Sequence, residues 1–126
     1  MAITLTTAAR NAACNAVVDL IDVGTTDANG DIVIMTSSDV EVATLAFANP
    51  AFGNAATGVA TANAIAADTT ATGGTAARFK FQDRNNTEVL RGNVATSGSD
   101  LNLSSLNIGA GDTISISSFT VTMPAT

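Results

Sequence analysis

The chain has 126 residues, a formal net charge of −6, no His, no Trp, no Tyr and a single Cys. That length suits one domain, read as 1–126, burying about two-thirds of its unfolded surface. The missing His excludes Ser-His and Cys-His nucleophile pairs, an imidazole base and His-ligated metals, and Cys14 alone closes no internal disulfide.

The predicted elements begin with a helix over about 6–22. Thr6 or Thr7 supplies its cap, and Leu5, Ala8, Ala9, Ala12, Ala13, Ala16, Val17, Leu20 and Ile21 recur at helical steps. That stripe predicts the buried face, and Gly24 stands where a left-handed C-terminal cap would fall. Cys14 lies within the span and is expected to be buried.

Beyond Gly24 the apolar period changes to two. Asp31 to Met35 reads as a nearly continuous apolar strand, and Val40 to Phe47 as an alternating one that ends at Asn49-Pro50. Val59 to Ala66 is a weak strand of small residues, and Ala66 to Gly74 has no period and reads as a long exposed loop. Ala77, Phe79 and Phe81 alternate with Arg78, Lys80 and Gln82, the clearest strand of the chain. Arg84-Asn85-Asn86 turns it into a strand over Thr87 to Val94. Leu101 and Leu103 begin another short strand. Ile114 to Met123 forms the last, with a β-bulge expected near Ser117-Ser118 because the alternation slips there. Short strands separated by frequent turns predict a mainly β chain: an antiparallel, jelly-roll-like β-sandwich of seven or eight short strands with one N-terminal α-helix. Its expected core is Phe47, Phe79, Phe81, Ile114, Ile116, Phe119 and Val121. The core is thin, because 24 residues are Ala and only 30 are Leu, Ile, Val or Phe.

Charge is unevenly placed. Residues 1–77 carry seven acids and one base, whereas 78–91 carry Arg78, Lys80, Arg84 and Arg91 against Asp83 and Glu88. This basic hairpin is the candidate interface, complementary to an acidic patch on a partner, with Phe52 beside Pro50 as a candidate apolar anchor. An acidic chain with five bases makes a poor nucleic-acid ligand, and no apolar run approaches the roughly 20 residues of a membrane span. Asp27-Ala28-Asn29-Gly30-Asp31 looks superficially like a calcium loop. Its Gly is fourth rather than sixth, so a tight turn is the simpler reading. No catalytic, cofactor-binding or metal-ligating residue is assigned, and no cofactor. The expected class is a non-enzymatic packing unit, whose light core gains from burial between copies.

Three stretches point further: Ala43 to Gly53 leading into Gly58 to Ile65, Gly74 to Phe79, and Asp100 to Leu103 with Ile114 to Pro124. With the Ile3-Thr4-Leu5-Thr6-Thr7 opening, the chain resembles small structural proteins encoded in the virion gene blocks of tailed bacteriophages and prophages. The resemblance implies a capsid decoration (cement) protein on the virion's outer surface, made in the host cytoplasm. Its implied partners are further copies of itself, as a homotrimer, and the major capsid protein. A tail, neck or fibre-associated subunit is the alternative, and a glycan- or receptor-binding module a weaker one.

Overall fold

The computed structural model describes residues 3–125; Met1, Ala2 and Thr126 of the expected 1–126 domain lie outside the described residues. Thr6 holds extended backbone and its hydroxyl accepts the Ala9 N–H at 3.1 Å, which starts helix α1 (Thr7–Asp19) at a Thr cap as expected. The helix closes through a 3-10 turn, Leu20–Asp22, with Leu20 itself as the helical cap residue. Gly24 is therefore not the cap. It lies beyond the turn at φ +125°, where the Asn85 side chain and backbone leave no room for a Cβ.

The inward face of α1 is not the predicted Ala stripe. Cys14, Val18 and Ile21 are buried, while Leu5, Ala8, Ala9, Ala12, Ala16 and Leu20 are exposed. Hydrogen bonding decides the rotation. Asn11 and Asn15 accept the N–H groups of Gly58 at 2.7 Å and Ala55 at 2.8 Å, and Arg10 Nε donates to the Met123 carbonyl at 2.8 Å. Just past the helix, the Asp22 carboxylate accepts the Ala51 N–H at 2.9 Å. Three side chains of the helix and one of the turn after it thus satisfy main-chain groups of an irregular segment and of the C-terminal tail, groups that would be costly to bury unpaired. Gly58 is part of the fit: it sits at φ +76°, and a Cβ there would meet the Arg10 guanidinium at 2.6 Å.

Among the described residues the strands are β1 (Asp31–Met35), β2 (Glu41–Ala46), β3 (Val59–Thr61), β4 (Gly74–Thr75), β5 (Arg78–Gln82), β6 (Glu88–Ala95), β7 (Leu101–Asn102), β8 (Asn107–Ile108) and β9 (Thr120–Thr122). They form a five-stranded sheet in the order β2-β1-β5-β6-β7, with two small sheets, β3-β9 and β4-β8. The chain is mainly β and sandwich-like with one N-terminal helix, and its nine strands exceed the seven or eight expected. The pairing is antiparallel throughout except that β7 runs parallel to β6, through Val94↔Leu101 and Ala95↔Asn102. The β5–β6 hairpin turns as predicted. The Asp83 carboxylate accepts the N–H groups of Asn85 and Thr87, and Asn86 supplies the positive φ of the turn.

Strand alternation places Ile32, Ile34, Phe79 and Phe81 on one face of the five-stranded sheet. All five Phe of the chain meet there, with ring centroids 5.0 to 6.0 Å apart and several pairs edge-to-face. The expected core is buried apart from Val121, which is half-buried. Two strand expectations change. Val59 to Ala66 shortens to β3, and Ile114 to Met123 divides into a bridge at Ile114 and the strand β9, with a bend at Ser117. Ile114, Ile116 and Phe119 all reach the core across that bend, without a bulge inside one ladder.

Candidate interaction surfaces

The outer face of the five-stranded sheet carries the basic residues singled out in the sequence. Register sets Arg78 opposite Met35 and Asn93, and Lys80 opposite Val33 and Arg91. Arg78, Lys80 and Arg91 therefore share one face, but their acidic partners are already present on the chain. Arg78 Nη1 lies 3.3 Å from Asp39, and Arg91 bridges Asp39 at 3.2 Å and Glu88 at 2.7 Å. Lys80 lines a groove of about 310 Å³ together with Asp31, Asp39 and Glu41. The expected cationic patch is thus a mixed one, in which three bases face four acids. Beneath the charges, Val33 and Met35 are buried on this outer face, apart from the main core cluster.

The electrostatics follow the pairing. The hydrogen bond from Arg91 holds the carboxyls of Asp39 and Glu88 below their ordinary range, and those two acids raise the Arg91 guanidinium in turn. Burial has the opposite effect on Asp31 and Asp22, raising both, with Asp27 adding to the rise at Asp31 and Asp19 at Asp22. All four ion-paired side chains of the Asp39 network remain about two-fifths exposed, so the pairs orient the face more than they stabilise it.

Arg84 and Phe52 are placed elsewhere. Arg84 Nε donates to the Asp27 carbonyl at 2.8 Å, while the adjoining Asn85 side chain accepts from the main chain of Thr25 and Thr26. The tip of the hairpin is thereby fastened to the segment after α1 and is separate from the Arg78–Arg91 face. The Asp27–Asp31 segment is held by these main-chain ties, and no group of three or more Cys, Asp or Glu placed to hold a metal occurs among the described residues. Phe52 is not an exposed anchor. It is 5% exposed, packs against Phe47 and Phe81, and bridges to Ala62, so its ring belongs to the aromatic cluster of the core.

Sequence reading missed two surfaces. The first is the outward face of α1, where exposed Ala8, Ala9, Ala12 and Ala16 run between Ile3 (84% exposed) at one end and Leu20 (50%) and Val23 (52%) at the other. Its apolar spacing was legible, and what hid its exposure was the assumption that the apolar stripe faces inward. The second is the pair of edges of the five-stranded sheet. Along β2, the segment after β3 acts as a strap: Ala66 N–H donates to the Ala46 carbonyl, the Asp68 carboxylate accepts the Thr44 N–H, and Gly73 N–H donates to the Val42 carbonyl. The loop Ala66 to Gly74, exposed along most of its length as expected and entering β4 at Gly74, therefore also closes that edge. Asp68 also accepts from the Thr70 N–H and pairs its own main chain with Ile114. The β7 edge has no such strap among the described residues.

No helix of the described residues is long and apolar enough to cross a membrane. No family model matches the chain, and neither a curated protein nor a solved structure does.

Proposed function

We propose that the protein is a structural subunit that acts through protein–protein contact, and that it is a capsid decoration protein of a tailed bacteriophage. The observation that carries the first part is how the polar and apolar side chains are used. Arg10, Asn11, Asn15, Asp22, Asp68, Asp83, Arg84 and Asn85 all bind the chain's own main chain. Meanwhile an Ala-rich face on α1, which carries one charge at Asp19, is left in solvent, with Val40 exposed on the β1–β2 connection. Polar groups used this way hold a shape, and contiguous exposed apolar surface marks contact with another macromolecule. The assignment to a phage capsid, with a homotrimer on the major capsid protein, is supported by the resemblance of the Ala43 to Ile65 and Ile114 to Pro124 stretches.

The mixed charge of the Arg78–Arg91 face limits its part in this reading, since it favours register and orientation over net attraction to an acidic surface. A place in the tail, the neck or a fibre would use the same α1 face, as would a receptor-binding module displayed on the particle. Fractionation of purified particles into heads and tails, with the chain followed by mass spectrometry, tests the proposal. The chain is expected with the heads. Recovery with tails moves it to the alternative, and a monomer found in no particle fraction overturns the structural role.

A further inference from the structure

Two segments with strand-like burial face each other across the unstrapped side of the five-stranded sheet. In Leu101–Ser104, and again in Ile114–Ser117, buried and exposed residues alternate one by one. This is the in–out pattern of a sheet strand, yet each has main-chain groups without a partner. Leu103 N–H donates to the Ala95 carbonyl, so alternation turns the N–H and C=O groups of Asn102 and Ser104 away from β6. Across from them, the main chain of Ser115 to Ser118 makes no hydrogen bond among the described residues. Two contiguous grooves of about 340 and 410 Å³ lie between these segments, sharing Asn102 and Ser115 in their walls. Asp100 lines one and Asp112 the other, and no Lys or Arg lines either. One oxygen of each carboxylate is held, by the Asn93 N–H and the Gly109 N–H respectively, and the other has no partner among the described residues.

We infer that this slot takes an extended strand of a partner protein, about seven residues long, with a Lys or Arg at each end. The strand pairs its main chain with Asn102 and Ser104 on one side and with Ser115 and Ser117 on the other, because Ile114 turns its own main chain to Asp68, joining two part-paired segments into continuous sheet. Sequence-independent main-chain bonds supply the attachment, while Asp100 and Asp112 select for basic ends. The inference rests on the reading of the chain as a structural subunit and names the chemistry of its partner.

The test is amide NMR and hydrogen exchange on the full chain with the synthetic peptide Lys-Thr-Val-Thr-Val-Thr-Lys. Shifts are expected to be confined to the slot, with exchange at Asn102, Ser104, Ser115 and Ser117 slowed about tenfold or more. A peptide ending in Glu, or one N-methylated at alternate amides, is expected to leave these amides unchanged. The variant Ser117→Pro, which removes one donor, is expected to weaken binding. Because that variant could disturb the bend, the N-methylated peptide gives the same answer on the unaltered protein. Unchanged slot amides with the Lys-ended peptide, equal binding of the Glu-ended one, or shifts centred on α1 or β2 overturn the inference. Particle association without peptide binding overturns the slot and leaves the structural role standing.

Discussion

The two edges of the five-stranded sheet show how one chain treats the same physical problem in opposite ways. An edge strand exposes a row of main-chain donors and acceptors that invites pairing with another chain. At β2 the problem is closed from within: Ala66 and Gly73 bond to the edge, and the Asp68 carboxylate takes the place of a neighbouring strand at Thr44. At β7 the outward groups of Asn102 and Ser104 remain unpaired within the described residues. Closure costs the chain a whole connecting segment of ordered backbone. The small-residue stretch 66–73 bonds β2 on one side and residues 111–114 on the other, and no such segment covers the β7 edge among the described residues.

The largest test is to remove what both edges rest on. Phe81 is fully buried and packs against Phe47, Phe52, Phe79 and Phe119. Phe81→Ala is expected to lower stability by about 3–5 kcal/mol in urea unfolding, a large part of the total for a domain of this size. The contrast between the edges should then vanish, with amides at Thr44 and Ser117 exchanging alike. A loss below about 1 kcal/mol would mean that the aromatic cluster is not the common support.

A smaller and more selective change reverses the contrast. Asp68→Ala removes the acceptor for the Thr44 and Thr70 N–H groups and is expected to cost about 1–3 kcal/mol. The freed β2 edge should then self-associate, visible as concentration-dependent light scattering in the variant and not in the parent. A variant that loses stability yet scatters no more than the parent would show that the main-chain bonds of Ala66 and Gly73 close the edge without Asp68.

The legible parts of this molecule are those written in local pattern. The Phe79/Phe81 alternation, the Asn-rich hairpin turn and the Thr6 cap each depend on neighbours a few residues away, and each was read correctly. What escaped depends on hydrogen bonds between distant positions. Asn11 and Asn15 turn α1 by capturing Gly58 and Ala55, and hydropathy registers no such capture. The same holds for the strap, whose small residues carry no period although Asp68 reaches back to Thr44. Of the candidate interface, the shared face of Arg78, Lys80 and Arg91 was legible from strand alternation. Its neutralisation was not, because Asp39 stands on a connection turned by its own φ of +63°, far away in sequence.

The smallest effect, and the most discriminating about charge, is the response to acid. Asp31 and Asp22 have raised pKa values, so the folded chain takes up their protons before the unfolded chain does, and stability contributed at these sites rises as pH falls toward the carboxylate range. Asp39 and Glu88 have lowered values, so their contribution is complete above the ordinary carboxylate range and is lost as pH falls through the folded values. The difference between Asp31→Asn and the parent should therefore favour the variant at neutral pH and shrink on acidification. The difference between Asp39→Asn and the parent should disfavour the variant at neutral pH and also shrink, at lower pH than the first. Both variants alter the outer face, whereas the β7 edge lies away from Asp31 and Asp39 and offers the main-chain groups of Asn102 and Ser104. Urea midpoints of the two variants followed from pH 7 to pH 3 (about four units, spanning the ordinary carboxylate values) check the order. Amide exchange at Asn102 and Ser117 should match the parent's at each pH in both variants, and a difference there would tie the charged face to the open edge.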